Sequence, residues 1–444
     1  MLIPIIQFEP QTQACAAEAR AFILRHTTRD TQDDTQVRID TERIVEDVRQ
    51  NGDKALFEYT KKFDNADITA DTIRITYAEI EAAMNATPPE LKETIVHATE
   101  RIRRYHERQR QNSWFDTSNE GEILGQVVRP VDAVGIYVPG GKAAYPSSLL
   151  MNIVPAQVAG VERVAMVTPP AADGTINPTT LAAATIAGAT EIYKIGGAQS
   201  IAALAFGTES VPRVDKIVGP GNIYVTMAKR AVFGYAGIDS IAGPSEIVII
   251  ADEHANPIFV AADMLSQAEH DERASSILIT TSSILAEAVQ NELTRQTATL
   301  SRQAIINASL KANGLIILTD NLDDAFHLSN AIAPEHLEIC TSDPFTHLTY
   351  IRHAGAVFLG NYTPEPLGDY MAGPNHVLPT DSTARFFSPL SVDDFIKKTS
   401  VLSFSKKAMA QLAPDVTNFA LSEGLTAHAN AITVRLQDGE TSCE

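Results

Sequence analysis

The chain has 444 residues, 44% of them hydrophobic and 20% charged, which is the make-up of a folded protein with room for roughly two to four domains and sizeable buried cores. Its formal charge of -20 excludes nucleic acid and anionic membrane surfaces as partners, because both require a basic face. The three cysteines, Cys15, Cys340 and Cys443, are far apart and in no CxxC pattern, which excludes a disulfide framework or a thiolate metal site and fits the cytoplasm.

The N-terminal run Met1-Leu2-Ile3-Pro4-Ile5-Ile6 lacks the basic region and long apolar core of a signal peptide. No apolar run reaches membrane-spanning length. The first part reads as helical. Over Thr41 to Thr60, Ile44, Val45, Val48, Ala55, Leu56 and Tyr59 fall on one side at helical spacing. Thr76 to Asn112 reads as a further helix whose Arg101-Ile102-Arg103-Arg104 stretch is a solvated face. From Val128 the texture changes. Strands are expected at Val134 to Val138, Val164 to Thr168, Glu191 to Ile195 and Lys216 to Val218, alternating with Ala-rich helices. Asn177-Pro178 is a cap followed by a first-turn proline. A second alternating block has strands at Glu246 to Ala251, Ser276 to Thr280, Gly314 to Leu318, Leu337 to Cys340 and Gly355 to Leu359. Its helices include Pro257 to His270 and Leu322 to Ala331. Strands alternating with helices mean βαβ units, parallel sheets and an α/β fold. The tail from Ser391 to Glu444 reads as helical with no sheet of its own.

Side chains suited to metal binding are scattered over the second half. Gln267 and His270, three apart on an expected helix, would project from one face. Imidazole is a common zinc ligand and an amide oxygen an acceptable one. Asp369 follows Gly368 in a loop rich in Gly and Pro, and His428 lies in the tail. Taken alone, each reads better as a surface turn, a cap or a tail histidine. Glu335-His336 stands between a helix and a strand, where one side chain can activate water and the other move a hydroxyl proton; alone, the pair reads better as a surface helix terminus. The nucleotide question stays open from pattern. There is no GxGxxG, yet Gly140-Gly141, Gly196-Gly197-Ala198-Gln199 and Gly219-Pro220-Gly221-Asn222 each end a strand, where backbone can approach a ligand.

Taken together, the strings resemble the histidinol dehydrogenase family over nearly the whole chain. The likeness rests on Gly135 to Gly141, Gly196 to Gln199, Val218 to Asn222, Ile238-Asp239 and Ala242 to Glu246. It continues through Gln267 to Asp271, Ala333 to Glu338, Gly368-Asp369-Tyr370, Asn375 to Thr380 and Glu423 to His428. The resemblance implies a zinc enzyme that oxidises L-histidinol to L-histidine with two NAD+ through L-histidinaldehyde, the last steps of histidine biosynthesis. It implies Gln267, His270, Asp369 and His428 as zinc ligands, and Glu335 and His336 as catalytic residues. Tyr137, Gln199 and Asn222 become NAD contacts. Ser245 and Glu423 become substrate contacts, joined by Gln267, His270, His336, Asp369 and His428. The implied fold is two incomplete Rossmann-like parallel-sheet domains with small helical terminal elements. Along the chain this gives a helical region at 1–128 that contributes to a discontinuous α/β domain and an NAD-side domain at 129–240. A metal-bearing domain at 241–385 and a helical tail at 386–444 that packs on a partner complete it. The implied assembly is an intertwined homodimer with shared active sites. Pro389 and Met371 depart from the family pattern, at positions without an implied role. Two alternatives compete: a paralogous zinc and NAD alcohol dehydrogenase acting on another small alcohol, such as a sulfonated diol, and a non-catalytic zinc- and NAD-binding dimer.

Overall fold

The computed structural model describes residues 3–10, 16–26, 35–140, 146–241 and 243–437. The chain forms two compact units, one of Met1–Gln109 with Val131–Phe395 and one of Arg110–Pro130 with Ile396–Glu444. Among the described residues no helix is long and apolar enough to cross a membrane.

In chain order the larger unit begins with β1 (Ile5–Gln7), α1 (Ala16–His26), α2 (Thr35–Asp64), α3 (Tyr77–Ala86) and α4 (Pro89–Glu107). The smaller unit interrupts it with β2 (Trp114–Asp116) and β3 (Glu122–Pro130). Then come β4 (Ala133–Tyr137), α5 (Pro146–Ala159), β5 (Arg163–Thr168), α6 (Pro178–Ala187), β6 (Glu191–Lys194), α7 (Gly197–Phe206), β7 (Lys216–Val218), α8 (Ile223–Val232) and β8 (Gly237–Ile238). A second run has β9 (Glu246–Ala251), α9 (Pro257–Ala268), β10 (Ser275–Thr280), α10 (Ser283–Thr297), α11 (Gln303–Asn313), β11 (Gly314–Leu318), α12 (Leu322–Ile332), β12 (His336–Cys340), β13 (Ala356–Leu359) and the short α13 (Glu365–Leu367). The smaller unit resumes with β14 (Ile396–Phe404), α14 (Lys406–Ser422) and α15 (Thr426–Gln437).

The larger unit holds two parallel sheets, ordered β6-β5-β4-β7-β8 and β1-β11-β10-β9-β12-β13. Numbered within its own block, each has a 3-2-1-4-5 run, the doubly wound order without its sixth strand, and β1 from the start of the chain adds a further strand at the β11 edge of the second sheet. The apolar strands arise because both faces are covered. On β9, Ile247, Ile249 and Ala251 enter one core with α9 and α10, while Val248 and Ile250 enter the other with α1 and α12. The two-residue period of the strand makes that division. The core around β4 to β7 takes in Ile44, Val45, Val48, Ala55 and Leu56 of α2, the side expected from spacing.

Three expectations need correction. The helix expected over Thr76 to Asn112 is two, because Pro88-Pro89 restarts the chain after a reciprocal Thr76–Glu79 cap has begun the first. The Arg-rich stretch is only partly a solvated face. Arg101 donates to the Met371 carbonyl and Arg103 to Gln157 Oε1 at 2.9 Å. The tail has the expected helices, but also nine-residue β14, antiparallel to β3 in the sheet β14-β3-β2. The sequence Ile396-Lys397-Lys398-Thr399-Ser400-Val401-Leu402-Ser403-Phe404 carries no clean alternation, because most of the strand is exposed.

Candidate functional site

The first candidate region lies at the carboxyl ends of β4 to β7. Glycine turns there leave a cavity of about 910 Å³ lined by Tyr137, Gly140, Thr168, Pro169, Gly197, Gln199 and Asn222, among others. This volume suits a bound small molecule or cofactor. Tyr137 closes β4; burial pushes its hydroxyl up to about 12, and that hydroxyl accepts from the Gly197 N–H at 3.4 Å. Gln199, in the first turn of α7, is fully buried, yet neither amide atom has a partner among the described residues. Such an amide costs about 1–3 kcal/mol unless something else satisfies it. Asn222 caps α8, its Oδ1 accepting from the N–H groups of Tyr224 at 3.1 Å and Val225 at 3.2 Å. The three residues implied as NAD contacts therefore line one cavity. Gly141, part of the first glycine turn, and Ala242 fall outside the described residues.

The turn before Asn222 is held from beneath. Gly219 has φ +113, and a Cβ there would run into the Tyr137 carbonyl, so only glycine fits. Its N–H donates to Asp239 Oδ2 at 2.8 Å, and its carbonyl accepts from Lys229 Nζ at 3.1 Å. Lys229 and Asp239 pair with each other and are both 5% exposed, so one buried ion pair fixes both sides of this residue's backbone.

The second region lies at the amino ends of β9, β12 and β13. Gln267 is in the last turn of α9, fully buried, with neither amide atom partnered among the described residues. His270 is not on the helix. Glu269 ends α9, and the Asp271 carboxylate takes the Arg273 N–H at 2.9 Å in a turn that stops it. Asp369, expected in a loop, lies in the π-helical turn Gly368–Ala372 that directly follows α13. Ligand atoms of His270, Asp369 and Glu365 lie within 4.8 Å of one another. Glu365 is 1% exposed; its Oε2 accepts from Ser266 Oγ at 3.0 Å, its carboxyl is hydrogen-bonded to that of Asp369, and its Oε1 has no partner among the described residues. Spacing alone did not point to Glu365. The signal available was an acid one helical turn before Asp369, flanked by Pro364 and Pro366.

Glu335 and His336 are set by a left-handed Ala333, φ 55, that ends α12 and is followed by Pro334. Glu335 Oε2 accepts from the Glu246 N–H at 2.9 Å. His336 Nδ1 is 3.1 Å from the Glu246 carbonyl and therefore carries the proton, leaving Nε2 as a bare acceptor 4.0 Å from Glu365 Oε1. Burial drives the Glu335 carboxyl well above the usual range, with Glu246, Asp369 and Glu365 adding to the rise. Burial also lifts Asp369 to about 6 and Glu365 to about 7, and lowers His336 to about 3. Buried acids with few donors and a nearby imidazole are the surroundings that a cation relieves. The donor set of amide, imidazole and carboxylate fits zinc in kind. Beside it a cleft of about 480 Å³ is lined by Tyr105, His336, Asp369 and His376. Ser245 precedes β9, next to Glu246.

Glu423 and His428 belong to the smaller unit. Glu423 ends α14 and His428 lies in the first turn of α15, and both are exposed.

Residues 27–436 match the family model described as histidinol dehydrogenase. The chain is 57% identical over 395 residues to a histidinol dehydrogenase of Halalkalibacterium halodurans, covering 89% of this chain and 93% of that one. It is 56% identical over 394 residues to that of Clostridium acetobutylicum, covering 89% and 91%. Among solved structures, histidinol dehydrogenase from Elizabethkingia anophelis superposes with a TM-score of 0.91 at 37% identity, covering 99% of both chains. A match spanning both candidate regions and most of the chain fixes its kinship: the chain belongs to the histidinol dehydrogenase family.

Proposed function

We infer that this chain is an NAD-dependent oxidoreductase that converts L-histidinol to L-histidine through L-histidinaldehyde, closing histidine biosynthesis. The observation that carries this reading is the bare, buried Nε2 of His336 facing the His270–Glu365–Asp369 grouping. Family membership supplies the substrate.

Gln267, His270 and Asp369 would hold zinc, with His428 as the remaining ligand. Bound zinc supplies a Lewis acid that fixes the nitrogen donors of the substrate. Bound NAD+, held by Tyr137, Gln199 and Asn222, supplies the hydride acceptor, once for each oxidation. His336 Nε2 takes the proton of the substrate hydroxyl, a role that its Nδ1–H bond to the Glu246 carbonyl prepares by fixing the tautomer. The aldehyde must be hydrated before its second oxidation, and Glu335 takes the proton of that water; its raised affinity for protons suits a base. Ser245 and Glu423 orient the substrate. Burial of His336 and Glu335 keeps solvent from the intermediate.

The tail carries His428 and Glu423, and exposed Phe419, Leu421 and Leu425 lie near them on the same unit. These features support a homodimer in which each tail completes the partner's site. The scattered cysteines and the use of NAD support a cytoplasmic location.

The test of the reaction is the count of NADH per L-histidinol consumed by purified protein, with the product identified. Two NADH and L-histidine are expected. Oxidation of another alcohol with no turnover of L-histidinol would overturn the reading. For the shared site, an inactive His336 variant and an inactive His428 variant, mixed and refolded, should regain part of the activity. No recovery in proven heterodimers would return His428 to its own subunit's site.

A further inference from the structure

Asp64 is the last residue of α2, followed by Asn65 in the left-handed region at φ 56. Its position is unfavourable on several counts. A carboxylate at a helix carboxyl end meets the negative end of the helix dipole. Its Oδ2 is shut off from solvent and has no hydrogen-bond partner among the described residues. Burial lifts its carboxyl to about 6. Lys61 and Lys62 in the same last turn offset the dipole, but Oδ2 gains no hydrogen bond from the described residues, and an acid held in this state beside a cavity points to a ligand.

Asp64 lines the cavity that also holds Tyr137, Gln199 and Asn222. In dinucleotide-binding folds, an acid downstream of the first glycine turn accepts a ribose 2′-hydroxyl. In this chain that stretch, the end of β5, brings Thr168, Pro169 and Pro170 to the cavity and no acid. The cavity's other acid from α2, Asp40, is already paired with Arg43 at 3.0 Å.

We propose that Asp64 takes over this role from outside the sheet. Its carboxylate accepts the ribose 2′-hydroxyl of NAD+ and sets the preference of the enzyme for NAD+ over NADP+. The proposal rests on reading the cavity as the dinucleotide site. In NADP+ the same hydroxyl is a phosphate, which offers no donor and brings negative charge against the carboxylate.

The test is calorimetric binding of NAD+ and of NADP+ to the full-length protein without L-histidinol, for the wild type and for Asp64→Asn, Asn222→Ala and Gln199→Ala. Asp64→Asn keeps the shape and removes the charge. It should weaken NAD+ binding about tenfold, the scale of one hydrogen bond to a charged group. NADP+ should lose little or gain, so the preference narrows by about tenfold or more. A purely structural role would instead lower the melting temperature and leave the preference unchanged. Unaltered NAD+ affinity in Asp64→Asn, or an equal loss for both dinucleotides, overturns the proposal. If Asn222→Ala and Gln199→Ala weaken NAD+ binding while Asp64→Asn does not, this inference alone fails. If none of the three weakens it, the dinucleotide reading of the cavity falls too.

Discussion

In the sheet built on β4, the candidate residues stand at carboxyl ends: Tyr137 ends its strand, Gln199 opens the helix after β6, and Asn222 caps the helix after β7. In the sheet built on β9 they stand at amino ends: Glu246 and His336 each begin a strand. Both sheets share the same 3-2-1-4-5 run, with β1 added at one edge of the second. Topology therefore does not decide which end of a doubly wound sheet is used. The first end is open because glycine turns give backbone room beside a cavity. The second is crowded with acids and imidazoles around α9 and α13, with the buried Glu365 carboxylate and the buried Gln267 amide short of partners among the described residues. A roomy end with its few charges spread along the walls suits a long ligand with many hydroxyls. A charged, close end suits a cation and proton transfers.

If the two ends do separate jobs, lesions at one should leave the other intact. His336→Gln should give the largest effect, a loss of about 10²- to 10⁴-fold in the oxidation of L-histidinol, the range for a general base. NAD+ affinity should stay at the wild-type value in calorimetry. A matching loss of NAD+ binding would mean that the two ends act as one site.

Glu335→Gln sharpens the division within the second end. The base role proposed for it belongs to the hydrated aldehyde, so L-histidinaldehyde oxidation should fall about 10²-fold while the first step falls less. Stopped-flow traces with each substrate supplied directly separate the steps. Aldehyde oxidation at the wild-type rate would move water activation to another group.

Much of this architecture was legible in the chain. The parallel strands were readable because strands covered on both faces are continuous apolar runs, as Ile247-Val248-Ile249-Ile250 shows. Strand β14 was not, because its side chains are largely exposed and polar. Edge strand β1 was not, because three residues carry no measurable period; its pairing with β11 is long-range. The cavity contacts were legible only through strings matched to a family. No local pattern announces that the amide of Gln199 is buried without a partner. Glu365 and Asp64 stayed unread for a similar reason. Their importance lies in missing hydrogen bonds, and a missing bond is a property of the packed structure, not of the residue type.

At the carboxyl-end site, the clamp on Gly219 gives a prediction of middle size. Asp239→Ala removes the acceptor for the Gly219 N–H and strands Lys229 in a buried position. The KM for NAD+ should rise about tenfold, because the turn leading to Asn222 loses its support, which is the order of one lost charge-assisted hydrogen bond. The KM for L-histidinol should not change. Asp239→Asn, which keeps an oxygen for the Gly219 N–H, should recover part of the loss. A rise in the KM for L-histidinol equal to that for NAD+ would show that the clamp supports the whole unit and not this turn.

The smallest effect concerns stability, and it tests whether the carboxyl-end site also holds an unrelieved charge. Asp64 has its folded carboxyl raised from 3.8 to about 6 by burial. The folded state therefore binds this proton more tightly than the unfolded chain does. Stability from this group is full below about pH 4 and is lost as pH rises through about 6, which is opposite in sign to an ion-paired acid. Replacing the carboxylate with an amide removes the loss. Asp64→Asn should then melt at the wild-type temperature near pH 4 and a little above it near pH 7.5. The side chain is partly exposed, so solvent screening reduces the gain to roughly 1 kcal/mol or less, a shift of about 2 °C. Saturating NAD+ should reverse the order at pH 7.5, because the wild type then gains the hydrogen bond that the variant has lost. Melting curves at the two pH values, with and without NAD+, give all four points. A variant less stable than the wild type at pH 7.5 without NAD+ would mean that Asp64 has a partner within the fold and that the comparison between the two ends has been drawn too sharply.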